Sequence, residues 1–255
     1  MGTLADRHAL ITGGGTGIGA AIAQALAGEG AAVSLAGRRK APLDEVARSL
    51  PKATAIVADI TKEADCAAMA AAARKAHGPI DIVIANAGAA ASTPFAQMDL
   101  DHWRGMIDVN LTGAFLTVKA ALADLTRKPV SARQIVFIAS TAGLKGYPYV
   151  AGYCAAKHGV VGLARALSLE LAPSGVTVNA VCPGYTDTPL LDAAADKISA
   201  KTGRSRDDAR AMLARDNPSG RLVTTEEVAG AVLRLCLPSG ASVNGEAILV
   251  TGDPT

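Results

Sequence analysis

Aromatic residues make up only 3% of the 255-residue sequence, and cysteine appears four times with neither CxxC spacing nor pairing logic. A chain so poor in aromatics must build its core from Ala, Val, Leu and Ile, and half of its residues are hydrophobic. That composition suits a parallel sheet buried on both faces. Cys66, Cys154, Cys182 and Cys236 read as reduced thiols, which argues for a cytoplasmic protein and against a disulfide scaffold. His8, His77, His102 and His158 lack metal-ligand spacing, so no metal is expected. There is no Gly-x-Ser-x-Gly elbow and no Walker lysine. A net charge of +2 gives no reason to expect nucleic acid or an anionic membrane as partner. No uninterrupted apolar run approaches the roughly 20 residues that span a bilayer, and the segment up to Asp6 has neither a signal-peptide core nor a myristoylation motif.

No Ser/Pro linker, charge block or repeat divides the chain, so residues 1–255 read as one domain. Short β-type runs alternate with longer helical stretches. The expected strands are His8–Thr12, Ala32–Ala36, Ala53–Ala58, Ile82–Asn86, Gln134–Ala139, Thr177–Val181 and Ala247–Val250. The first helix is expected over Ile18–Ala27, with Ile18, Ile22 and Leu26 one turn apart and Gly28 and Gly30 as stop signals. Two long Ala-rich helices are expected at Leu100–Leu125 and Ala155–Leu171. Strand–helix–strand alternation with short connections forces parallel pairing. The predicted fold class is therefore α/β: a Rossmann-type, doubly wound parallel sheet of about seven strands, with helices on both faces and ligands at the carboxyl ends of the strands.

Two motifs carry chemistry. Thr12-Gly13-Gly14-Gly15-Thr16-Gly17-Ile18-Gly19 follows the first strand directly and opens the first helix, the context a dinucleotide fingerprint demands. Gly13 permits a tight turn, Gly17 and Gly19 permit close approach, and the helix N-terminus offers unpaired N–H groups to a pyrophosphate. Farther on, Tyr153 and Lys157 stand one helical turn apart, thirteen residues beyond Ser140. An ammonium beside a phenol stabilises the phenolate, so Tyr153 is expected to exchange a proton near neutrality. A hydride carrier next to such a phenol implies carbonyl–alcohol redox chemistry.

The second strand ends Leu35-Ala36-Gly37-Arg38-Arg39-Lys40, with Gly37 where a ribose-binding carboxylate would stand. Three cations follow, which favours the 2′-phosphate of NADP(H) over NAD(H), with Arg38 as the clamp. The alternative is that these are solvated charges opening a helix. Asp59 either meets the adenine amino group or caps the helix after Thr61.

With these residues in place, the chain resembles the classical short-chain dehydrogenases/reductases over essentially its whole length. The matching motifs are Thr12-Gly13-x-x-x-Gly17-x-Gly19, Asn86-Ala87-Gly88, Asn110, Ser140, Tyr153-x-x-x-Lys157 and Pro183-Gly184. Two departures, Ala85 for a second Asn and Asp253 for a second Gly, leave the expected chemistry untouched. The resemblance implies that Tyr153 is the general acid/base and that Lys157 lowers its pKa and holds the nicotinamide ribose. It makes Ser140 the hydrogen-bond donor to the substrate oxygen, and Asn110 the anchor of a relay water leading to Lys157. Such donors stabilise the charge that grows on the carbonyl oxygen. Ser140 as a strand-end cap and Asn110 as a structural amide are the plainer readings. By the same resemblance, Gly15, Thr16, Ile18, Arg39 and Ile60 join the cofactor contacts, and Asn86, Ala87 and Gly88 flank the adenosine side. Pro183, Gly184, Thr186 and Thr188 lie by the nicotinamide amide, although Thr188 is also placed to cap a helix starting at Pro189.

Residues 185–222 fall where the family carries a substrate lid. Lys201-Thr202-Gly203-Arg204-Ser205-Arg206 would suit the phosphates of a coenzyme A or carrier-protein thioester, or belong to a solvated helix with i,i+4 pairs. Ala142, Leu144, Tyr147 and Tyr185 would wall an apolar pocket together with Ser140 and Tyr153. The reading is an NADP(H)-dependent 3-oxoacyl-thioester reductase or 3-hydroxyacyl dehydrogenase, with a reductase of a free cyclic or aryl ketone as the alternative. A non-enzymatic cofactor sensor would not need Ser140, Tyr153 and Lys157 together. The family resemblance also implies a homotetramer.

Overall fold

The computed structural model describes residues 2–129 and 132–252, so Asp253 lies outside the described residues. Seven strands form one sheet: β1 (His8–Thr12), β2 (Ala32–Gly37), β3 (Ala53–Val57), β4 (Ile82–Ala85), β5 (Arg133–Ile138), β6 (Val176–Pro183) and β7 (Ala247–Val250). Their order is β3-β2-β1-β4-β5-β6-β7 and every pairing is parallel. The direction of winding reverses between β1 and β4, and ligands bind at that switch point in sheets of this type. β1 and β7 match the sequence expectation. The other five strands shift by one or two residues, because their ends follow ladder hydrogen bonds that side-chain patterning does not report.

The first helices are α1 (Gly17–Gly28), α2 (Lys40–Arg48), α3 (Glu63–His77), α4 (Leu100–Ile107) and α5 (Gly113–Leu125). They are followed by α6 (Ala151–Leu171), α7 (Pro189–Thr202), α8 (Arg206–Ala214) and α9 (Thr225–Cys236). Period-two alternation sorts the strand side chains between the two faces. Leu10, Val83, Ile135 and Phe137 meet Met69 of α3, Leu116 of α5 and Val160 of α6. Ile11, Ile82, Ile84 and Val136 meet Ile22 and Leu26 of α1 and Val228 and Val232 of α9. Full burial of each large aliphatic side chain stabilises the fold by about 1.5–3 kcal/mol, so the sheet is held from both sides.

α4, a π turn at Asp108–Thr112 and α5 run on as one helix from Leu100 to Leu125. Its length and mean hydropathy of 1.3 are those of a membrane span, a feature the sequence reading missed because charged residues such as Asp108 and Lys119 interrupt the apolar run. In this fold 44% of its apolar window is buried inside the protein. α7 and α8 bury a small apolar cluster of their own, made of Leu191, Ala195, Ala209 and Leu213, with Tyr185 and Leu222 packed against it. Arg206 of α8 reaches Asp192 at 3.2 Å and Asp196 at 3.1 Å on α7, while Arg210 pairs with Asp187 at 2.7 Å and with Asp192. Of the three cations in the 201–206 segment, Arg206 is committed to this zipper between two helices, whereas Lys201 and Arg204 are exposed and enter no ion pair among the described residues.

Candidate active site

The glycine turn leaves β1 at Thr12, with Gly13 at φ +68° and Gly17 at φ +54°, both in the left-handed region that L side chains avoid. At Gly19 the constraint is contact: a Cβ there would strike the Gly13 carbonyl oxygen. Thr16, the N-cap of α1, makes no side-chain cap bond, so the first N–H groups of the helix are left for a ligand. Asn86 was expected along the adenosine. Instead its Nδ2 donates to the Thr12 carbonyl at 2.8 Å and to the Gly13 carbonyl at 3.3 Å, and the Asn86 and Ala87 N–H groups bond the Thr12 hydroxyl. Asn86 therefore props the turn from behind, a role the sequence motif did not disclose.

At the end of β2, Arg38 and Arg39 are exposed and enter no ion pair among the described residues, whereas Lys40 is tied to Asp44 at 2.6 Å. Asp59 does not cap the following helix, whose N-cap is Lys62; its Oδ1 closes a local turn instead, accepting from the Thr61 N–H at 3.1 Å and the Thr61 hydroxyl at 2.8 Å. Those bonds hold its carboxyl below the usual range, helped by Lys62 and Arg38. The Ile60 side chain is 5% exposed and belongs to the core, so a cofactor contact from this residue would use its backbone.

Ser140 ends β5 and opens a 3-10 turn over Thr141–Gly143, its Oγ accepting from the Ala142 N–H at 3.1 Å. The strand-end cap is thus real, and the same hydroxyl lies close enough to the Tyr153 phenol to favour its ionised form. α6 begins four residues earlier than expected, at Ala151, which puts Tyr153 in its first turn and Lys157 one turn on. The expected electrostatics are reversed. Burial pushes the Tyr153 phenol up to about 12 against the lowering effect of the neighbouring Ser140 hydroxyl, and burial pushes Lys157 down to about 8. The Lys157 Nζ donates to the Ile138 carbonyl at 2.8 Å and stands 5.7 Å from the centre of the Tyr153 ring. Loss of water around each group favours its neutral form. At neutral pH the phenol holds its proton and is poised to donate it.

Asn110 sits in the π turn, 1% exposed. Its Nδ2 donates to the Ala89 carbonyl at 2.9 Å and the Met106 carbonyl at 3.0 Å, and its Oδ1 accepts from the Ala89 N–H at 3.2 Å. Both amide protons are committed, so the side chain pins the chain after β4. A Cβ on Gly88 would fall 2.7 Å from the Asn110 Oδ1 and 3.6 Å from the Lys157 Nζ, so only glycine lets these elements close up. π turns recur at functional sites in helices.

Of the expected pocket walls, Ala142 is buried and Leu144 is exposed. The Tyr147 hydroxyl bonds the Thr141 hydroxyl at 2.8 Å, and its ring meets Tyr185 edge-on, centroids 6.0 Å apart. Tyr185 is held by Asn217, whose Oδ1 accepts from the Tyr185 N–H at 2.9 Å while its Nδ2 donates to the Tyr185 and Arg221 carbonyls at 2.9 and 2.7 Å. Gly184 is required there, since a Cβ would strike the Asn217 Oδ1. Asn217 lies 32 residues from Tyr185 and went unseen in the sequence. Pro183 ends β6, and the Thr186 hydroxyl bonds the Gly184 carbonyl at 3.0 Å. Thr188 caps α7 through the Leu191 N–H at 3.3 Å, the second of its two expected roles, and packs close to Gly17.

The model of the short chain dehydrogenase family matches residues 7–199. The chain belongs to the short-chain dehydrogenase family. Among its relatives it is 36% identical to granaticin polyketide synthase putative ketoacyl reductase 1 of Streptomyces violaceoruber, over 98% of this chain and 94% of that protein. It is 38% identical to cis-4-hydroxycyclohexanecarboxylate dehydrogenase of Sinomonas cyclohexanicum, over 98% of this chain and 97% of that one. Among solved structures, a single-residue variant of actinorhodin polyketide ketoreductase with NADPH superposes with a TM-score of 0.92 at 35% identity, covering 99% of this chain and 98% of the other. This short-chain dehydrogenase is a ketone–alcohol oxidoreductase.

Proposed function

We propose that this short-chain dehydrogenase reduces the ketone of a 3-oxoacyl thioester at the expense of NADPH, with Tyr153 as the proton donor. The observation that carries the reading is a half-buried phenol, protonated at neutral pH, in the first turn of α6 beside the Ser140 hydroxyl, with the Lys157 ammonium one helical turn on and 5.7 Å from its ring. NADP(H), when bound, supplies the hydride in reduction and takes it back in oxidation. The open N-terminus of α1, the glycine turn and the unpaired Arg38 and Arg39 fit a dinucleotide with a 2′-phosphate. Ser140 and Tyr153 would donate hydrogen bonds to the carbonyl oxygen, stabilising the charge that develops there as the Tyr153 proton moves onto it. Lys157 would hold the nicotinamide ribose, and Asn110 would fix the backbone beside Gly88 and Lys157. α7 and α8, bounded by Gly184 and Leu222, would act as a lid whose ion-pair zipper keeps the two helices together. The assembly would be a cytoplasmic homotetramer.

The printed names of the granaticin and actinorhodin relatives support the ketoacyl reading, and that of the cyclohexanecarboxylate dehydrogenase supports a free cyclic ketone as the second. Tyr147 and Tyr185, packed edge-on, would suit a ring-bearing substituent within either class. Initial rates of NADPH and NADH oxidation with acetoacetyl-CoA, cyclohexanone and 4-oxocyclohexanecarboxylate test the proposal. Acetoacetyl-CoA with NADPH should give the highest kcat/KM. A higher value with either cyclic ketone moves the assignment to the second reading, and turnover of none with either cofactor refutes both.

A further inference from the structure

We propose that Tyr149 is a specificity-determining residue that receives a planar ring of the substrate beyond the reacting carbonyl. The inference deepens the ketone-reductase reading above and rests on it. The chain has four tyrosines, at 147, 149, 153 and 185, in a sequence with only 3% aromatic residues, and all four belong to the loops and helix that form the site. Tyr153 is the proton donor. Tyr147 is fixed by Thr141 and packs edge-on against Tyr185. Tyr149 is the remaining one, and its placement has no structural rationale of its own.

Two features mark it. Its φ is +66°, the one positive value among the described residues that are not glycine. A bulky side chain in the left-handed region is strained, and such strain persists where function maintains it. Its side chain is 62% exposed, so ring burial does not offset the strain. The backbone around it is anchored: the Tyr149 carbonyl accepts from the Thr93 N–H at 2.7 Å, joining the loop after β4 to the loop after β5 at the carboxyl end of the sheet. Four residues on, Tyr153 opens the catalytic face of α6, with Cys154 N–H bonded to the Val150 carbonyl. A glycine would satisfy this backbone without strain, so the presence of a tyrosine points to use of the ring. Phe95 and Leu144, on the same two loops, are exposed as well. A flat aryl or fused-ring substituent is the group that an exposed, rigidly anchored phenol recognises best, by offset or edge-on stacking.

The test keeps the reacting head constant and varies only the ring. Ethyl benzoylacetate and ethyl acetoacetate are both 3-oxo esters, one carrying a phenyl group where the other has a methyl. Wild type should reduce the aryl ester with the higher kcat/KM. Tyr149→Gly should lower kcat/KM for the aryl ester about two- to tenfold through KM, while the acetoacetate value changes less than about twofold. Tyr149→Phe should keep the aryl preference. Relief of strain and the added chain entropy of glycine act in opposite senses, so the Tm of Tyr149→Gly should stay within about 2 °C of wild type. An equal fall for both esters, or a large fall in Tm, would show that Tyr149 merely shapes the loop and would overturn the proposal. An unchanged aryl preference in Tyr149→Gly overturns it as well, while leaving the ketone-reductase reading intact. A wild-type protein that reduces neither ester with NADPH overturns both.

Discussion

Lys157→Met should make the protein more stable at pH 7 while removing its activity. The wild-type ammonium is 4% exposed, and burial lowers its pKa from the ordinary 10.5 to about 8. That gap corresponds to about 3 kcal/mol of penalty for keeping the buried group charged at pH 7. Methionine removes the penalty, but it also removes the donor to the Ile138 carbonyl, which costs about 1 kcal/mol. The balance is about 2 kcal/mol in favour of the variant, a Tm rise of roughly 4–8 °C for a chain of this size. The pH dependence identifies the cause. Between about pH 8 and pH 10.5 the unfolded lysine still holds a proton that the folded one has released. Wild-type stability therefore rises with pH across that window, so the advantage of methionine shrinks, vanishes just below pH 10 and reverses by pH 10.5, where the neutral amine still donates to the Ile138 carbonyl. Urea unfolding at fixed protomer concentration, at pH 7, 8, 9.5 and 10.5, measures the difference. A variant less stable than wild type at pH 7, or an advantage that does not change with pH, would refute the desolvation argument.

Gly37→Asp with Arg38→Leu should turn the cofactor preference from NADPH toward NADH. Loss of one charge-assisted contact raises KM for NADPH about 10- to 150-fold, and a wild type that uses NADH at least as well as NADPH would rule out the Arg38 clamp. Glu227→Gln should destabilise the protein modestly, by no more than about 1 kcal/mol given the exposure of the pair. Glu227 accepts two bonds from Arg221, at 2.5 and 2.9 Å, and one from the Thr224 N–H at 2.7 Å, which hold its carboxyl at about 2 instead of 4.5. Its contribution is present above pH 4.5 and is lost as the pH falls toward 2, so wild type and variant should converge in acid urea titrations.

The sheet was legible in the sequence because buried parallel strands are short, almost wholly apolar and separated by helix-length segments. His8–Thr12 and Ala247–Val250 match the expectation residue for residue. The glycine turn was legible for a related reason: close backbone approaches need glycine at fixed intervals, and a Cβ at Gly19 would strike the Gly13 carbonyl. What stayed hidden depends on tertiary neighbours. Asn217 clamps Tyr185 across 32 residues, and no local pattern announces such a contact. The left-handed backbone at Tyr149 violates the residue preference from which a turn would be read. The upward shift of Tyr153 was not legible because sequence spacing reports that a lysine is near, yet says nothing of how far each group is withdrawn from water. Asp59 and Thr188 each had two open readings, and in both the short polar side chain bonded its own turn or helix end.

Protonation of the carbonyl oxygen by Tyr153 is the claim on which the functional reading depends, and Tyr153→Phe addresses it with the loss of a single oxygen atom. The phenyl ring fills the same space, so NADPH affinity, followed by quenching or enhancement of the reduced nicotinamide fluorescence, should stay close to wild type. Turnover of the best ketone should fall by about 10²–10⁴-fold, the usual worth of a positioned general acid. Retention of more than roughly a tenth of the wild-type kcat, with the cofactor still bound, would take the proton transfer away from Tyr153.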